Sequence, residues 1–346
     1  MEPISEPPFE EAYKILLNKA KTNNCNDFDD DDEFIVIEKC ELPLIDLSHL
    51  EDKDEMVREE CKCEIARASQ EWGFFQVVKH GIPNDIFNRL RCEQEKMFKL
   101  PFDKKTKEDK FLQFSSGSYR WGTPSATCVK QLCWSEAFHI PLVDVLEPNN
   151  ESNALRSTIE QFATIASNLA QTLADILAQK MGHDYDSTFF KENCLPNTSY
   201  IRLNRYPPCP IASEIHGLMP HTDSDFITIL YQDQVGGLQL VKDKKWIAVK
   251  PNPGSLIINI GDLFQAWSNG VYKSVKHRVV TNPKVERFSM AYFLCPLNDT
   301  VIESCEKPSL YKKFSFREYR QQVGEDVQKL GSKIGLTRFL THEGTT

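Results

Sequence analysis

The chain has 346 residues, a formal net charge of −9 and a sequence pI of about 5.5. This acidic balance excludes a broad electrostatic footprint for nucleic acid or for an anionic membrane, so a small molecule is the expected partner. A carboxylate ligand would need a locally basic pocket. The hydrophobic content of 40% includes 21 phenylalanines, enough for one large β-rich core with a helical annex.

The cysteines and the N-terminus predict a cytoplasmic location. Eleven cysteines are an odd number, and their scattered positions are typical of reduced thiols rather than of a disulfide framework or a zinc site. The first residues are acidic and show no signal or transit pattern. No run approaches the roughly 18 apolar residues of a membrane span. We therefore expect neither a membrane nor a nucleic-acid partner, and the sequence indicates no oligomeric state.

The first part of the chain divides into two predicted regions. Residues 1–41 predict a peripheral extension with a short helix over 11–20, a solvated acidic run at 27–33 and a strand over 34–37. Residues 42–198 predict a mainly helical region with edge strands. Its predicted helices span 54–70 and 153–182, its strands span 74–78 and 133–141, and an aromatic loop spans 115–122.

From residue 199 the pattern changes to short strands separated by turn residues, which is typical of a sandwich or jelly roll. The predicted strands span 200–206, 226–231, 238–241, 246–249, 255–260, 277–281 and 287–295. This core runs over 199–300, and in 301–346 we predict helices over 311–323 and 329–340. The predicted fold class is α+β, a double-stranded β-helix (jelly-roll) core with an N-terminal helical region and C-terminal helices.

A candidate metal site lies inside this strand-rich region. His221 and Asp223 are two residues apart, so an extended segment would direct both side chains to one face. His277 follows at a separation that suits a strand returning across a sheet. Two neutral imidazoles and one carboxylate form the facial triad of non-haem Fe(II) oxygenases, which leaves coordination positions open. Zinc or copper would also bind such ligands, and the open positions are what favour oxygenase chemistry.

Four motifs in order resemble plant 2-oxoglutarate- and Fe(II)-dependent dioxygenases, over roughly residues 42–325. These are residues 71–83 (EWGFFQVVKHGIP), 204–210 (NRYPPCP), the His-Thr-Asp triplet with His277, and 287–289 (RFS). The resemblance implies a metal site of His221, Asp223 and His277. It also implies Fe(II), 2-oxoglutarate and O2 as cofactor and cosubstrates, with ascorbate as a supporting reductant.

The cosubstrate residues follow from the same resemblance. Arg287 and Ser289 share a strand face, and a guanidinium fork matches a carboxylate, so the family pattern implies that they hold the distal carboxylate of 2-oxoglutarate. Tyr206 and Asn204 resemble family positions that hydrogen-bond the cosubstrate. The alternatives are a surface ion pair of Arg287 beside Glu286, a core tyrosine and a turn-capping asparagine.

A narrower resemblance concerns the substrate. Residues 134–139 and 333–340 are similar to gibberellin 2-oxidases, particularly those that act on C20 gibberellins. This implies 2β-hydroxylation, which inactivates the hormone or its precursor, and a diterpenoid acid as substrate. A diterpenoid acid needs apolar surface and a cation, and the alternative role for the candidate residues is buried packing. The candidate substrate-binding residues are Tyr119, Arg120, Trp121 and Phe138.

Two alternatives from other classes stay open. One is another plant dioxygenase, such as a gibberellin 3- or 20-oxidase, a flavonoid oxygenase or an aminocyclopropane carboxylate oxidase. The other is a non-catalytic module that sequesters the hormone, against which the intact ligand set argues. We predict no catalytic residue beyond the metal site, and the sequence does not indicate which gibberellin is preferred.

Overall fold

A computed structural model of the protein describes residues 5–22, 39–107, 118–146, 154–182, 188–211 and 215–341. The acidic run at 27–33 and the predicted strand over 34–37 lie outside the described residues. The helices are α1 (Phe9–Thr22), α2 (Glu55–Glu71), α3 (Asn84–Phe98), α4 (Phe102–Thr106), α5 (Leu142–Leu146), α6 (Ala154–Gln179), α7 (Phe189–Asn193), α8 (Asp262–Trp267) and α9 (Phe316–Leu330).

The first strands, through the start of the core, are β1 (Lys39–Cys40), β2 (Leu44–Asp46), β3 (Phe74–Val78), β4 (Tyr119–Trp121), β5 (Glu136–Pro141), β6 (Tyr200–Tyr206), β7 (His216–His221) and β8 (Ile227–Gln232). The later strands are β9 (Leu238–Lys242), β10 (Lys245–Val249), β11 (Leu256–Ile260), β12 (His277–Val280), β13 (Arg287–Leu294), β14 (Val301–Ile302) and β15 (Phe314–Ser315). Together they form two large sheets and one small pair.

Two mainly antiparallel sheets face each other and form the predicted jelly-roll core. The larger has the strand order β2-β3-β11-β8-β13-β6-β5-β4, and the smaller has the order β1-β10-β9-β12-β7. Apolar side chains of both sheets meet in one buried cluster, in which Phe74 and Ile257 of the larger sheet join Leu240 and Val279 of the smaller. Burial of these facing side chains stabilises the pairing of the sheets.

The helices of the N-terminal half cover the other face of the larger sheet. Helix α6 buries a stripe of apolar residues that recurs every three or four positions, including Ile159, Phe162 and Leu173. This stripe belongs to the main core together with residues of α2, α3 and the strands β8 and β13. Since both faces of the larger sheet are covered, β13 is buried at all eight positions and reads as a continuous apolar run apart from Arg287 and Ser289.

Most predicted strands of the core are confirmed within one or two residues, but β7 was not predicted. Its sequence contains Gly217 and Pro220, both of which are depleted in strands. Proline is tolerated here because β7 lies at the edge of the smaller sheet, where one side of the strand needs no backbone donor. The predicted loop over 115–122 also contains a strand, β4, which pairs with β5.

C-terminal helices are present, but the bounds predicted for them, 311–323 and 329–340, are wrong. One α-helix, α9, starts after a capping box between Ser315 and Glu318 and ends where Gly331 adopts a left-handed conformation with φ 75°. The chain then makes a short 3-10 helix over Gly335–Phe339. Within the described residues, no helix is both long enough and apolar enough to cross a bilayer.

Gly261 lies at the corner between β11 and α8, where the chain packs directly against a neighbouring backbone segment. Its φ of −92° is open to any residue, so conformational freedom is not the reason for glycine. A Cβ at this position would instead lie 2.0 Å from the backbone oxygen of Asp225. The amide of Asp262 donates to the oxygen of Asp223 at 2.9 Å beside this contact. The corner therefore helps to hold the segment that carries Asp223.

We expect Gly261→Ala to lower the free energy of unfolding by about 1–3 kcal/mol, because backbone atoms cannot move aside as a flexible side chain would. Gly324→Ala is the matched control, since a Cβ at this position in α9 meets no atom within 4 Å. The control should raise stability by up to about 1 kcal/mol through helix propensity. Urea unfolding measures both changes. Equal stability of the two variants would contradict the assigned close contact.

Candidate metal and cosubstrate site

The structure brings the three predicted metal ligands together. His221 ends β7, His277 begins β12, and the two residues are direct partners in the antiparallel pairing of these strands. The Nε2 atoms of His221 and His277 lie 3.5 and 3.6 Å from Oδ1 of Asp223. One donor atom from each residue lies within 4.8 Å of the others. We call these three residues the metal cluster.

The position of Asp223 has a different cause from the one predicted. His221 is the last residue of β7 and Asp223 lies beyond the strand, so alternation along one strand does not align them. Hydrogen bonds fix the carboxylate instead. Thr228, on β8, donates to Oδ2 at a distance of 2.6 Å, and Asn259, on β11, donates to the same oxygen at 2.5 Å. Oδ1 is left to face the two imidazoles.

Backbone carbonyls orient both imidazoles. Nδ1 of His221 lies 2.7 Å from the oxygen of Met219, and Nδ1 of His277 lies 3.1 Å from the oxygen of Val275. A carbonyl can only accept, so we assign the proton of each neutral ring to Nδ1. The lone pair of each Nε2 then points into the cluster. Ligating histidines in metal sites are oriented in this way.

Burial and the neighbouring groups favour the neutral form of His277 and the ionised form of Asp223. Burial, with His221 as the next cause, lowers the pKa of His277 to about 4, so this ring is neutral at pH 7. Burial alone raises the pKa of Asp223, but the adjoining His277 and His221 and the Thr228 hydroxyl outweigh it and hold the pKa below its usual range. This donor set fits Fe(II) and leaves room for further ligands.

A cavity of about 560 Å³ opens beside the metal cluster between the two sheets. This volume lies in the range of roughly 300–1,000 Å³ that is common for small-molecule sites. Five cationic side chains line it, although the protein as a whole is acidic, and Asp223 is the one acidic residue among the described residues of its wall. The locally basic pocket expected for a carboxylate ligand is therefore present. The cationic residues are Arg120, Arg202, Arg287, Arg320 and Lys333.

Arg287 is a buried cation with no carboxylate partner among the described residues. It is 2% exposed, and its Nη2 donates to Gln232 at 2.8 Å. Its guanidinium lies 4.8 Å from the ring centre of Tyr206, and its Nε has no hydrogen-bond partner. Burying a charge without a counterion is costly. A bound carboxylate would supply the missing negative charge and accept a hydrogen bond from the unpaired Nε.

The other three predicted cosubstrate residues surround this cation. Arg287 and Asn204 both approach the hydroxyl of Ser289, each at 3.4 Å, and Tyr206 lies under the guanidinium. All four residues line the cavity. The surface ion pair considered for Arg287 is excluded, because Glu286 instead pairs with Arg205 on the opposite face of the sheet.

Of the four predicted substrate residues, Arg120 lines the cavity and the others face away. Side chains alternate along β4, so Tyr119 and Trp121 lie on the opposite side of the sheet from Arg120. Tyr119 donates to the buried Glu136 at 2.6 Å, and Phe138 packs against Phe98 and Tyr119 in the core. The prediction of Tyr119, Trp121 and Phe138 as cavity-lining residues is therefore wrong, and packing is their role.

Several residues around the site were not predicted. Thr228 and Asn259 hold Asp223, and Asn259 had a signal, because it is the one polar residue within the apolar strand β11. Lys333 begins the stretch 333–340 that resembles gibberellin 2-oxidases, but no role in the site was predicted for it. It donates to the backbone oxygen of Thr222 at 2.9 Å and to the Ser224 hydroxyl at 2.7 Å.

Asp262 connects this lysine to the remainder of the site. Its carboxylate pairs with Lys333 at 2.6 Å, accepts from Thr222 at 2.9 Å and accepts from the hydroxyl of Tyr319 in α9. The C-terminal segment is thereby hydrogen-bonded to Thr222 and Ser224, the residues directly before and after Asp223. We call Asp262, Tyr319 and Lys333 the C-terminal clamp.

Comparison with known proteins agrees with this geometry. Residues 197–296 match the model of the 2OG-Fe(II) oxygenase superfamily, and residues 42–157 match the model described as the non-haem dioxygenase in morphine synthesis N-terminal region. Gibberellin 2-beta-dioxygenase 8 of Arabidopsis thaliana is 60% identical, over 97% of this chain and 99% of that protein. Gibberellin 2-beta-dioxygenase 6 of Oryza sativa subsp. japonica is 46% identical, over 87% and 86%.

Solved structures support the same assignment. The crystal structure of JOX2 in complex with 2OG, Fe and JA has a TM-score of 0.72 and 27% sequence identity, and the match covers 98% of this chain and 100% of that one. The rice dioxygenase for auxin oxidation has a TM-score of 0.69 and 28% identity, over 87% and 100%. The chain is a dioxygenase that belongs to the 2-oxoglutarate- and Fe(II)-dependent oxygenase superfamily.

Proposed function

We propose that the protein hydroxylates gibberellins at carbon 2 in the β-orientation, with C20 gibberellins as its preferred substrates, and so inactivates the hormone or its precursors. The observation that carries this proposal is the similarity along nearly the whole chain to relatives named gibberellin 2-beta-dioxygenase. The cavity supports it, because a basic and partly apolar wall suits a diterpenoid acid. We place the reaction in the cytoplasm.

The metal cluster provides the iron site in this proposal. His221 and His277 would bind Fe(II) through Nε2 and Asp223 through Oδ1, which are the atoms that the surrounding hydrogen bonds leave directed inward. Bound iron with 2-oxoglutarate and O2 would supply the oxidising chemistry, and ascorbate would act as the supporting reductant that keeps the iron in the Fe(II) state. The hydrogen bonds from Thr228 and Asn259 keep the carboxylate of Asp223 in one orientation.

Arg287 and its neighbours would orient the cosubstrate. The planar guanidinium binds the distal carboxylate of 2-oxoglutarate, and the Ser289 hydroxyl adds a further donor. Gln232 and the ring of Tyr206 hold the guanidinium in place, so little conformational entropy is lost on binding. Asn204 completes the wall beside Ser289.

Apolar side chains between the sheets and α9 would hold the hydrocarbon skeleton. Tyr200 and Phe293 stack with ring centres 4.3 Å apart on the wall of the larger sheet, and Val323 and Val327 of α9 line the cavity from the other side. A rigid substrate between these surfaces presents one carbon to the iron, and its burial excludes water. The position of this carbon sets the product.

Product analysis tests the proposed function directly. Purified protein is incubated with Fe(II), 2-oxoglutarate and ascorbate and a panel of C19 and C20 gibberellins, and products are identified by mass spectrometry against 2β-hydroxylated standards. We expect one added oxygen at the 2β position, with faster turnover of C20 members. Binding of a gibberellin without any conversion would support the hormone-sequestering alternative. Hydroxylation at carbon 3 or oxidation at carbon 20 would identify another gibberellin oxidase.

We expect His221→Ala to abolish turnover and to weaken metal binding by more than about 100-fold, because it removes a ligand rather than a group that only orients one. Calorimetry with Mn(II) in the absence of oxygen measures the binding separately from activity. His49→Ala is the matched control, since His49 is exposed and remote from the metal cluster. Unchanged Mn(II) affinity in the His221 variant would contradict the metal assignment.

We expect Arg287→Ala to raise the KM for 2-oxoglutarate on the order of 30-fold or more, because truncating one member of a buried charge pair costs about 2–5 kcal/mol. Arg287→Lys should recover only part of this loss, since an ammonium group keeps the charge but not the planar fork. Arg317→Ala is the control, because Arg317 forms an exposed pair with Asp299. A KM that stays at the wild-type value in Arg287→Ala would place the cosubstrate elsewhere.

A further inference from the structure

Three arginines besides the cosubstrate residue Arg287 line the cavity. Arg120 lies on the edge strand β4, Arg202 on β6 and Arg320 on α9, so three distant parts of the chain contribute one cation each. We call them the arginine cluster. Arg287 is separate from it, on β13 beside Gln232 and Tyr206.

No acidic side chain pairs with the arginine cluster in the part of the chain that the structure describes. Its one side-chain hydrogen bond runs from Nε of Arg202 to Asn204 at 2.9 Å, and the guanidinium of Arg320 lies 5.6 Å from the ring centre of Phe316. By contrast, Arg317 on the same helix pairs with Asp299. Arg120 and Arg320 are exposed and Arg202 is half-buried, so the positive charge of the cluster faces both the cavity and the solvent.

The members of the cluster are close enough to repel one another. Burial lowers the pKa of Arg120, and Arg202 and Arg320 lower it further. Burial and the same three arginines lower the pKa of His139, which also lines the cavity, to about 4, so this ring is neutral at pH 7. Like charges held together cost free energy unless an anion binds between them.

The metal end of the cavity balances its own charge once it is loaded. Fe(II) brings two positive charges and Arg287 one, while Asp223 brings one negative charge and 2-oxoglutarate two. Lys333 is neutralised by Asp262 at 2.6 Å. The three positive charges of the arginine cluster, two of them on exposed side chains that solvent screens in part, therefore have no counterion among the described residues until a substrate binds. A substrate with one carboxylate compensates one of them, and a substrate with two carboxylates compensates two.

We propose that the arginine cluster binds two separate carboxylates of one substrate, and so selects dicarboxylic diterpenoids over those whose second carboxyl is closed into a lactone. A carboxylate accepts the fork of one guanidinium or bridges two, so three guanidinium groups spread around the cavity suit two carboxylates. Apolar residues of the same wall, including Leu230, Phe293 and Val323, take the skeleton between them. This inference rests on the proposed function, because it states which gibberellins fit.

The test compares a C20 gibberellin that carries two free carboxyls with its monomethyl ester at the carboxyl that a lactone would engage. The two probes share one skeleton and differ by one charge. Binding is measured by calorimetry to protein loaded with Mn(II) and 2-oxoglutarate, which gives no turnover. We expect the wild-type protein to bind the diacid about tenfold or more tightly than the ester, the size of one charge-assisted hydrogen-bonding interaction.

Three variants locate the selectivity: Arg120→Gln, Arg202→Gln and Arg320→Gln. A variant that lacks the arginine bound to the carboxyl esterified in the second probe should bind the diacid about tenfold less tightly than the wild-type protein does. Its affinity for the ester should stay within about threefold of the wild-type value, because the ester does not use that arginine. Arg317→Gln on the same helix is the matched control and should keep the wild-type ratio, because it pairs with Asp299. Urea unfolding of each variant verifies that the fold is retained.

The outcomes separate this inference from the proposed function. Equal affinity of the wild-type protein for diacid and ester, with 2β-hydroxylation of either, overturns the role of the cluster and leaves the proposed function intact. The role of the cluster is also overturned if none of the three variants changes the ratio of diacid affinity to ester affinity. If neither probe binds and no gibberellin is hydroxylated, the proposed function fails and the inference fails with it.

Discussion

The carboxylate of Asp223 is held from behind, and the site depends on this constraint. Donors on β8 and β11 occupy Oδ2, so Oδ1 faces the imidazoles of His221 and His277. The imidazoles are in turn oriented by carbonyl oxygens of their own segments. Each ligand is therefore aligned by the sheets before any metal arrives, which reduces the conformational cost of binding.

The sequence predicted the metal cluster and the cosubstrate residues but gave an incomplete reason for their arrangement. The structure joins His221 to His277 by strand pairing, as the separation suggested, whereas Asp223 is positioned by hydrogen bonds from Thr228 of β8 and Asn259 of β11. Strand alternation was applied correctly to Arg287 and Ser289. The same alternation was not applied to residues 119–121, where it places Tyr119 and Trp121 on the side of the sheet opposite to the cavity.

Other features had no local signal in the sequence. The strand β7 contains glycine and proline and is recognised as a strand only from its partner β12. The C-terminal clamp and the arginine cluster each combine residues that are far apart in the sequence, and no local pattern marks their members as neighbours. Pairwise contacts of such long sequence separation follow from the closed topology of the core, which local propensity does not encode.

The positions of Tyr319 and Lys333 in the sequence have a consequence for the order in which the site is completed during synthesis. The residues of the metal cluster and Arg287 are translated before α9, whereas Tyr319 and Arg320 lie in α9 and Lys333 follows it. A nascent chain that has reached β13 therefore already contains its iron and cosubstrate ligands but still lacks one wall of the substrate cavity. The wall formed by α9 and Lys333 can cover that cavity only after these residues have been translated.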